Sequence, residues 1–214
     1  MAFTLAETLI VMGIIGVVAA LTLPNLNSST GDKEKVTKVK KAYQNLSDAL
    51  GRAQAVYGLF EEWKWGSDAS DCSYLMGERF TEFMKVSKNC HLGDSTCAGS
   101  RRDPDSYNVI LADGMSVSFS ASNGDGSDAV FIVDIDGPNK GPNTSGKDEF
   151  KFIYDVDNGK EIYPAGYDID TDYNLKRDCL ERVSLFCTNW VIQNENMDYL
   201  KCPDKLSLTN TTCK

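Results

Sequence analysis

Apolar and polar positions follow different rhythms along this chain, and each rhythm predicts an element. From Phe3 to Leu23 there is almost no rhythm. The string FTLAETLIVMGIIGVVAALTL is apolar almost throughout, and Glu7 is its single ionisable side chain. As a helix rising about 1.5 Å per residue, such a run matches the roughly 30 Å hydrocarbon core of a bilayer. The expectation is a membrane-spanning helix over 3–24, in which a carboxylate needs a partner. A secretory signal would need a basic n-region, a shorter apolar stretch and a small-x-small cleavage site. Only Met1 and Ala2 precede the run, and no such site follows Leu23.

Residues 25–31 are polar and rich in turn formers, which predicts a loosened helix rather than its end. A second rhythm then begins at Val36, Val39, Tyr43, Leu46, Leu50, Ala53, Tyr57 and Phe60. The spacing alternates three and four, the signature of an amphipathic helix. It predicts a continuation over 25–60, with Gly58 as a stop. A two-stranded coiled coil shows the same spacing. Tyr and Ala at seam positions favour a stripe packed on the chain's own sheet.

The remaining 61–214 read as a globular head. Leu75 to Lys88 has helical spacing, with Met76, Phe80, Phe83 and Met84 on one face, and a loop carrying Cys90, His91 and Cys97 follows. Period-two alternation then takes over. Tyr107–Ala112 and Met115–Ser120 flank Asp113-Gly114, a hairpin turn. Ala129–Ile135, Phe150–Val156 and Lys160–Tyr163 read as further strands, giving an antiparallel meander of four or five. Helical spacing returns at Leu175, Cys179, Val183, Phe186 and Trp190. The expected fold class is α+β: a long N-terminal helix, transmembrane in one half and amphipathic in the other, packed on an antiparallel sheet with extra helices.

Charge and cysteine content narrow the function. The net charge of −9 over 214 residues argues against nucleic-acid binding, which relies on basic patches. Seven cysteines with an expected membrane anchor point to disulfides in an oxidising compartment. Cys90 with Cys97, and Cys202 with Cys213, are candidate pairs. Cys72, Cys179 and Cys187 leave one cysteine over, free or bonded between subunits. Lys33, Lys35, Lys38, Lys40 and Lys41 would by the positive-inside rule place their flank in the cytoplasm. The cysteines place it outside.

One head segment has the chemistry for a hard cation. Asp134, Asp136, Asn139, Asn143 and Asp148 offer carboxylate and amide oxygens, and intervening glycines and prolines would bend the loop around calcium. The EF-hand pattern is absent, and a solvated turn whose Asn and Asp cap their own backbone is the favoured alternative. Catalysis has little support. The chain has one His, His91, and neither a Gly-x-Ser-x-Gly elbow nor a phosphate loop, so it is expected not to be an enzyme.

The string Ala2-Phe3-Thr4-Leu5-Ala6-Glu7 resembles the processing site of type IV pilins and type II secretion pseudopilins. In that family a prepilin peptidase cuts before a Phe and methylates the new amine. A Glu lies four residues after the Phe, and an apolar helix follows. The resemblance places the cut between Ala2 and Phe3, makes Glu7 the assembly carboxylate, and sets Gly16 and Pro24 where the family's helix is loosened. Two features depart from the pattern. Ala2 stands where Gly is usual, and Met-Ala is a short, uncharged leader, implying an upstream start codon or a minimal leader. Residues 137–143 and the string Cys187 to Cys202 are also similar to recurrent strings in a subgroup of bacterial prepilin-like proteins.

The resemblance implies a filament subunit held at the bacterial cytoplasmic membrane with its head outside the cytoplasm. Its partners would be a prepilin peptidase and methyltransferase, other pilin subunits and an assembly platform. It also permits calcium in a head loop and a C-terminal disulfide loop at Cys202–Cys213. The alternative is a minor pilin acting as an adhesion or substrate-binding module. An exposed aromatic cluster, with Trp63 and Trp65 as candidates, would favour that role.

Overall fold

The computed structural model describes residues 5–94, 96–99, 103–122, 128–156 and 159–214; the side chains of 5–10, 16 and 18–30 fall outside that description. Helix α1 runs Leu5–Tyr57, and α2 runs Ala69–Thr81. Six strands follow: β1 Val86–Leu92, β2 Tyr107–Leu111, β3 Ser116–Ser122, β4 Asp128–Asp134, β5 Glu149–Asp155 and β6 Glu161–Pro164. A short α3, Asp172–Leu175, and α4, Thr188–Asn194, complete the head. The strands form one antiparallel sheet in the order β1-β2-β3-β4-β5-β6.

The alternation along the strands decides which face is covered. Tyr107 and Val109, Val117 and Phe119, Phe131 and Val133, and Phe150 and Phe152 are all buried on one face. Cross-strand register aligns them: Phe119 sits opposite both Tyr107 and Phe131, and Phe131 sits opposite Phe152. The α1 stripe lies on that face. Val36, Val39, Leu46, Leu50 and Ala53 are buried, and Tyr43 stacks on Phe152 with ring centroids 5.6 Å apart. Thus the three-four spacing serves the chain's own sheet. Gly58 ends α1 in a left-handed conformation, φ 86°, with its N–H donating to the Gln54 carbonyl at 3.0 Å. A side chain there would be strained.

The expectation for the N-terminal helix has to be corrected. Among the described residues, no helix is long and apolar enough to cross a membrane, so a long helix with a transmembrane half is not supported. The part of α1 whose side chains pack on the head is amphipathic rather than apolar throughout. From Asp32 onward α1 is heavily charged. What holds of the architecture is an α+β head with an antiparallel six-stranded sheet and the amphipathic portion of α1 packed on it.

Three local readings also change. The helix predicted over Leu75–Lys88 begins at Ala69, because the Asp68 side chain caps it by accepting from Asp71 N. Its expected end instead becomes β1, an edge strand the alternation did not reveal. The single helix expected over Tyr173–Trp190 is broken. After α3 the chain makes a π turn over Lys176–Leu180, then Ser184 caps a short 3-10 turn, and Phe186 is left 45% exposed.

Candidate functional site

The N-terminal processing and assembly residues come first. Ala2 and Phe3 lie outside the described residues. Glu7, Gly16 and Pro24 lie on the helical backbone of α1, with their side chains outside the description. The neighbouring side chains that are described are apolar and open. Val11, Met12, Ile14, Ile15 and Val17 are 54–71% exposed. A run of large apolar side chains in water is unfavourable by roughly 25 cal/mol per Å² of exposed apolar area, and it marks a surface built to be covered.

Further along, α1 is fixed to the head by its lysines. Lys35 Nζ lies 2.6 Å from Asp148 Oδ1 and also donates to the Lys147 carbonyl. Lys40 pairs with Glu195 at 2.6 Å and Lys41 with Asp113 at 2.7 Å. In return Lys201 of the head reaches Asp32 of α1 at 2.6 Å. The exposed pairs contribute little each. The Lys35–Asp148 pair is better shielded, the Asp148 side chain being 10% exposed. The lysine cluster that seemed to argue for a cytoplasmic flank is therefore largely a set of partners for head carboxylates.

The α1 end is closed by an aromatic cluster. Phe60 is fully buried, with its ring centroid 4.8 Å from those of Trp63 and Trp65 and 4.2 Å from that of Tyr154. The indole N–H groups of Trp63 and Trp65 donate to the Gly58 and Phe60 carbonyls. Trp63 is buried and Trp65 partly so. Hence these tryptophans form core, and the exposed aromatic cluster considered for adhesion is absent at this place.

Of the candidate calcium residues, Asp136 lies against the Asp134 carboxyl, and Asp134 Oδ2, Asp136 Oδ1 and Asn143 Oδ1 are each buried with no hydrogen-bond partner. Asp134, at the end of β4, is buried and its Oδ1 accepts from the N–H groups of Asp136 and Gly137, a capped turn. Asn139 is exposed. Asn143 donates to the Pro138 carbonyl at 3.3 Å, and Asp148 is engaged by Lys35. Among the described residues, no group of three His, Cys, Asp or Glu could hold a metal ion. Asp134 thus caps its own turn, while the unpartnered oxygens beside it are donors of the type a hard cation takes. Burial, with Asp136 close by, pushes the Asp134 carboxyl up from its ordinary range.

Three disulfides form: Cys90–Cys97, Cys179–Cys187 and Cys202–Cys213. The first and third are the candidate pairs; the second was left open by the sequence. Cys72 is the cysteine left over, and it is buried. His91, on β1, lies 3.8 Å from Glu78, and its ring meets that of Tyr107 edge-on. Tyr107 donates to Glu78, and burial with that carboxylate pushes its hydroxyl up to about 12. This is a polar cluster where α2 meets β1 and β2, with His91 and Glu78 open to solvent and Tyr107 buried beneath them.

One concavity was not anticipated. Its floor is Leu175 and Trp190, and its rim includes Phe186 and Leu208. Three separate segments build it, so no local pattern could have announced it. The string Cys187-Thr-Asn-Trp was noticed, but for its resemblance alone. Comparison of the chain with protein-family models, with curated proteins and with solved structures finds no match.

Proposed function

We propose that this chain is a structural subunit of a type IV pilus-like or type II secretion pseudopilus filament, processed before Phe3 and assembled through its N-terminal segment. The observation that carries the reading is the open apolar surface of α1 at Val11, Met12, Ile14, Ile15 and Val17, on the same helix whose later turns are packed on the head. A surface of that kind buried between copies supplies the association energy. Because each copy would contribute different surfaces to its two neighbours, the contact does not close and a helical filament grows.

Glu7 sets the register in this scheme. Once the chain is cut, the Phe3 α-amine of one copy pairs with the Glu7 carboxylate of the next. A charge left unpaired among apolar helices costs several kcal/mol, so only the register that pairs it is populated. The partners are a prepilin peptidase and methyltransferase, other pilin-like subunits and an assembly platform. The subunit waits at the cytoplasmic membrane with its head outside the cytoplasm, where its disulfides persist. Glu7→Val tests the pairing. It should abolish filaments seen by electron microscopy while leaving the head folded. Filaments of normal length and number from that variant would refute it.

A further inference from the structure

The pocket beneath Phe186 is built with more care than a surface dent. Trp190 forms part of its floor and is 5% exposed; its indole N–H donates to Asn196 Oδ1 at 3.0 Å, which fixes the ring. The same Asn196 donates to the Thr211 carbonyl at 3.0 Å and so ties the C-terminal loop to that floor. Asp172 accepts from Leu208 N at 2.7 Å, holding the rim. Disulfides Cys179–Cys187 and Cys202–Cys213 brace the two walls. Such a site loses little freedom when it is filled.

Its chemistry is selective. None of the residues lining it is charged, although the chain as a whole carries −9. Asn189, Gln193, Asn194 and Thr211 bring amides and a hydroxyl to walls otherwise made of aromatic and aliphatic carbon. Asn189 Oδ1 is buried with no hydrogen-bond partner. That oxygen is shut off from solvent, so what Asn189 offers a ligand is its amide N–H groups.

We propose that this pocket binds one ring of a neutral sugar. Phosphate, carboxylate and ammonium ligands find no counter-charge in it. A purely apolar side chain from another protein would leave the amides unpaired. A pyranose presents C–H faces to the exposed Phe186 and Leu208 and hydroxyl edges to the amides, and so satisfies both parts of the lining. The volume, 180 Å³, is below the roughly 300–1,000 Å³ of sites for larger ligands and suits a single ring of a longer glycan. The proposal does not depend on filament assembly.

The test is a titration of the full chain with glucose, galactose, mannose and N-acetylglucosamine, read by NMR shifts and saturation transfer. At least one should bind saturably, with Kd on the order of 1–10 mM for so small a contact. Asn189→Ala and Phe186→Ala should each weaken it about tenfold or more. Asn189→Ala keeps the backbone bond from Asn189 N to the Ala165 carbonyl and should melt no lower than the parent, because it removes an unpaired buried acceptor. Three outcomes would overturn the proposal: no sugar in the panel saturating, binding indifferent to both variants, or Phe186→Ala altering self-association and nothing else. The last would assign the pocket to a second copy.

Discussion

Phe60→Ala probes the joint between α1 and the head. The Phe60 side chain has no solvent exposure and is surrounded by Trp63, Trp65, Phe80 and Tyr154, with ring-centroid separations of 4.2–6.4 Å. Removing a buried Phe ring costs about 3–5 kcal/mol, transfer and cavity together. The geometry puts this site in the upper part of that range. The two indoles are held from behind by the Gly58 and Phe60 carbonyls and cannot collapse into the space. Aromatic contacts add about 0.5–1.5 kcal/mol each beyond area, so their loss adds to the transfer and cavity costs.

Against a domain stability of about 5–15 kcal/mol, a loss of about 4 is a large fraction. With a urea slope of about 2 kcal/mol per M, the midpoint should fall by about 2 M. The assay is urea unfolding of the full chain, followed by far-ultraviolet circular dichroism. Phe186→Ala, at a residue 45% exposed, is the matched control and should cost under about 1 kcal/mol. A Phe60→Ala loss below about 1 kcal/mol, or an equal loss from both variants, would refute the placement of Phe60 at the centre of the joint.

Asp134→Asn should stabilise the protein at pH 8 and confer nothing at pH 3. A carboxyl raised by burial binds its proton more tightly folded than unfolded, so native stability falls as pH rises from the ordinary aspartate range to the raised value. The amide retains an oxygen for the Asp136 and Gly137 N–H groups. Melting curves from pH 3 to 8 check this, and a difference that does not change with pH would contradict it. Replacing Cys202 and Cys213 together by Ser opens a loop of sequence separation 11 and should cost about 3 kcal/mol in urea unfolding. No loss would mean that the Asp198 bond to Cys213 N and the Lys201–Asp32 pair already fix the tail.

Much of the sheet was legible because its physics is local. Met115, Val117 and Phe119 alternate with serines behind Asp113-Gly114, and the structure buries all three beyond that turn. The stripe from Val36 to Ala53 was legible for the same reason, a fixed period over about five turns; beyond it Tyr57 is 39% exposed, and Phe60 lies past the Gly58 stop on a separate 3-10 turn. Strand β1 was not. Its string VSKNCHL has no alternation, and irregular register against β2 carries it. Trp63 and Trp65 could not be placed from sequence, because their burial depends on Phe60 and on α2 folding back over them. The surroundings of Asp148 were hidden for a similar reason: it is engaged by Lys35, 113 residues away in the chain. The pocket beneath Phe186 draws on Ile169, Trp190 and Leu208, which only the closed head and two disulfides bring together.

The central claim, a processed filament subunit, stands or falls on the chemistry of the N-terminus. Mass spectrometry of the protein from its native membrane fraction reads that directly. The account predicts a mature chain that begins at Phe3 and carries a methyl group on its α-amine. A chain that retains the residues before Phe3, with an unmodified amine at its start, would contradict it.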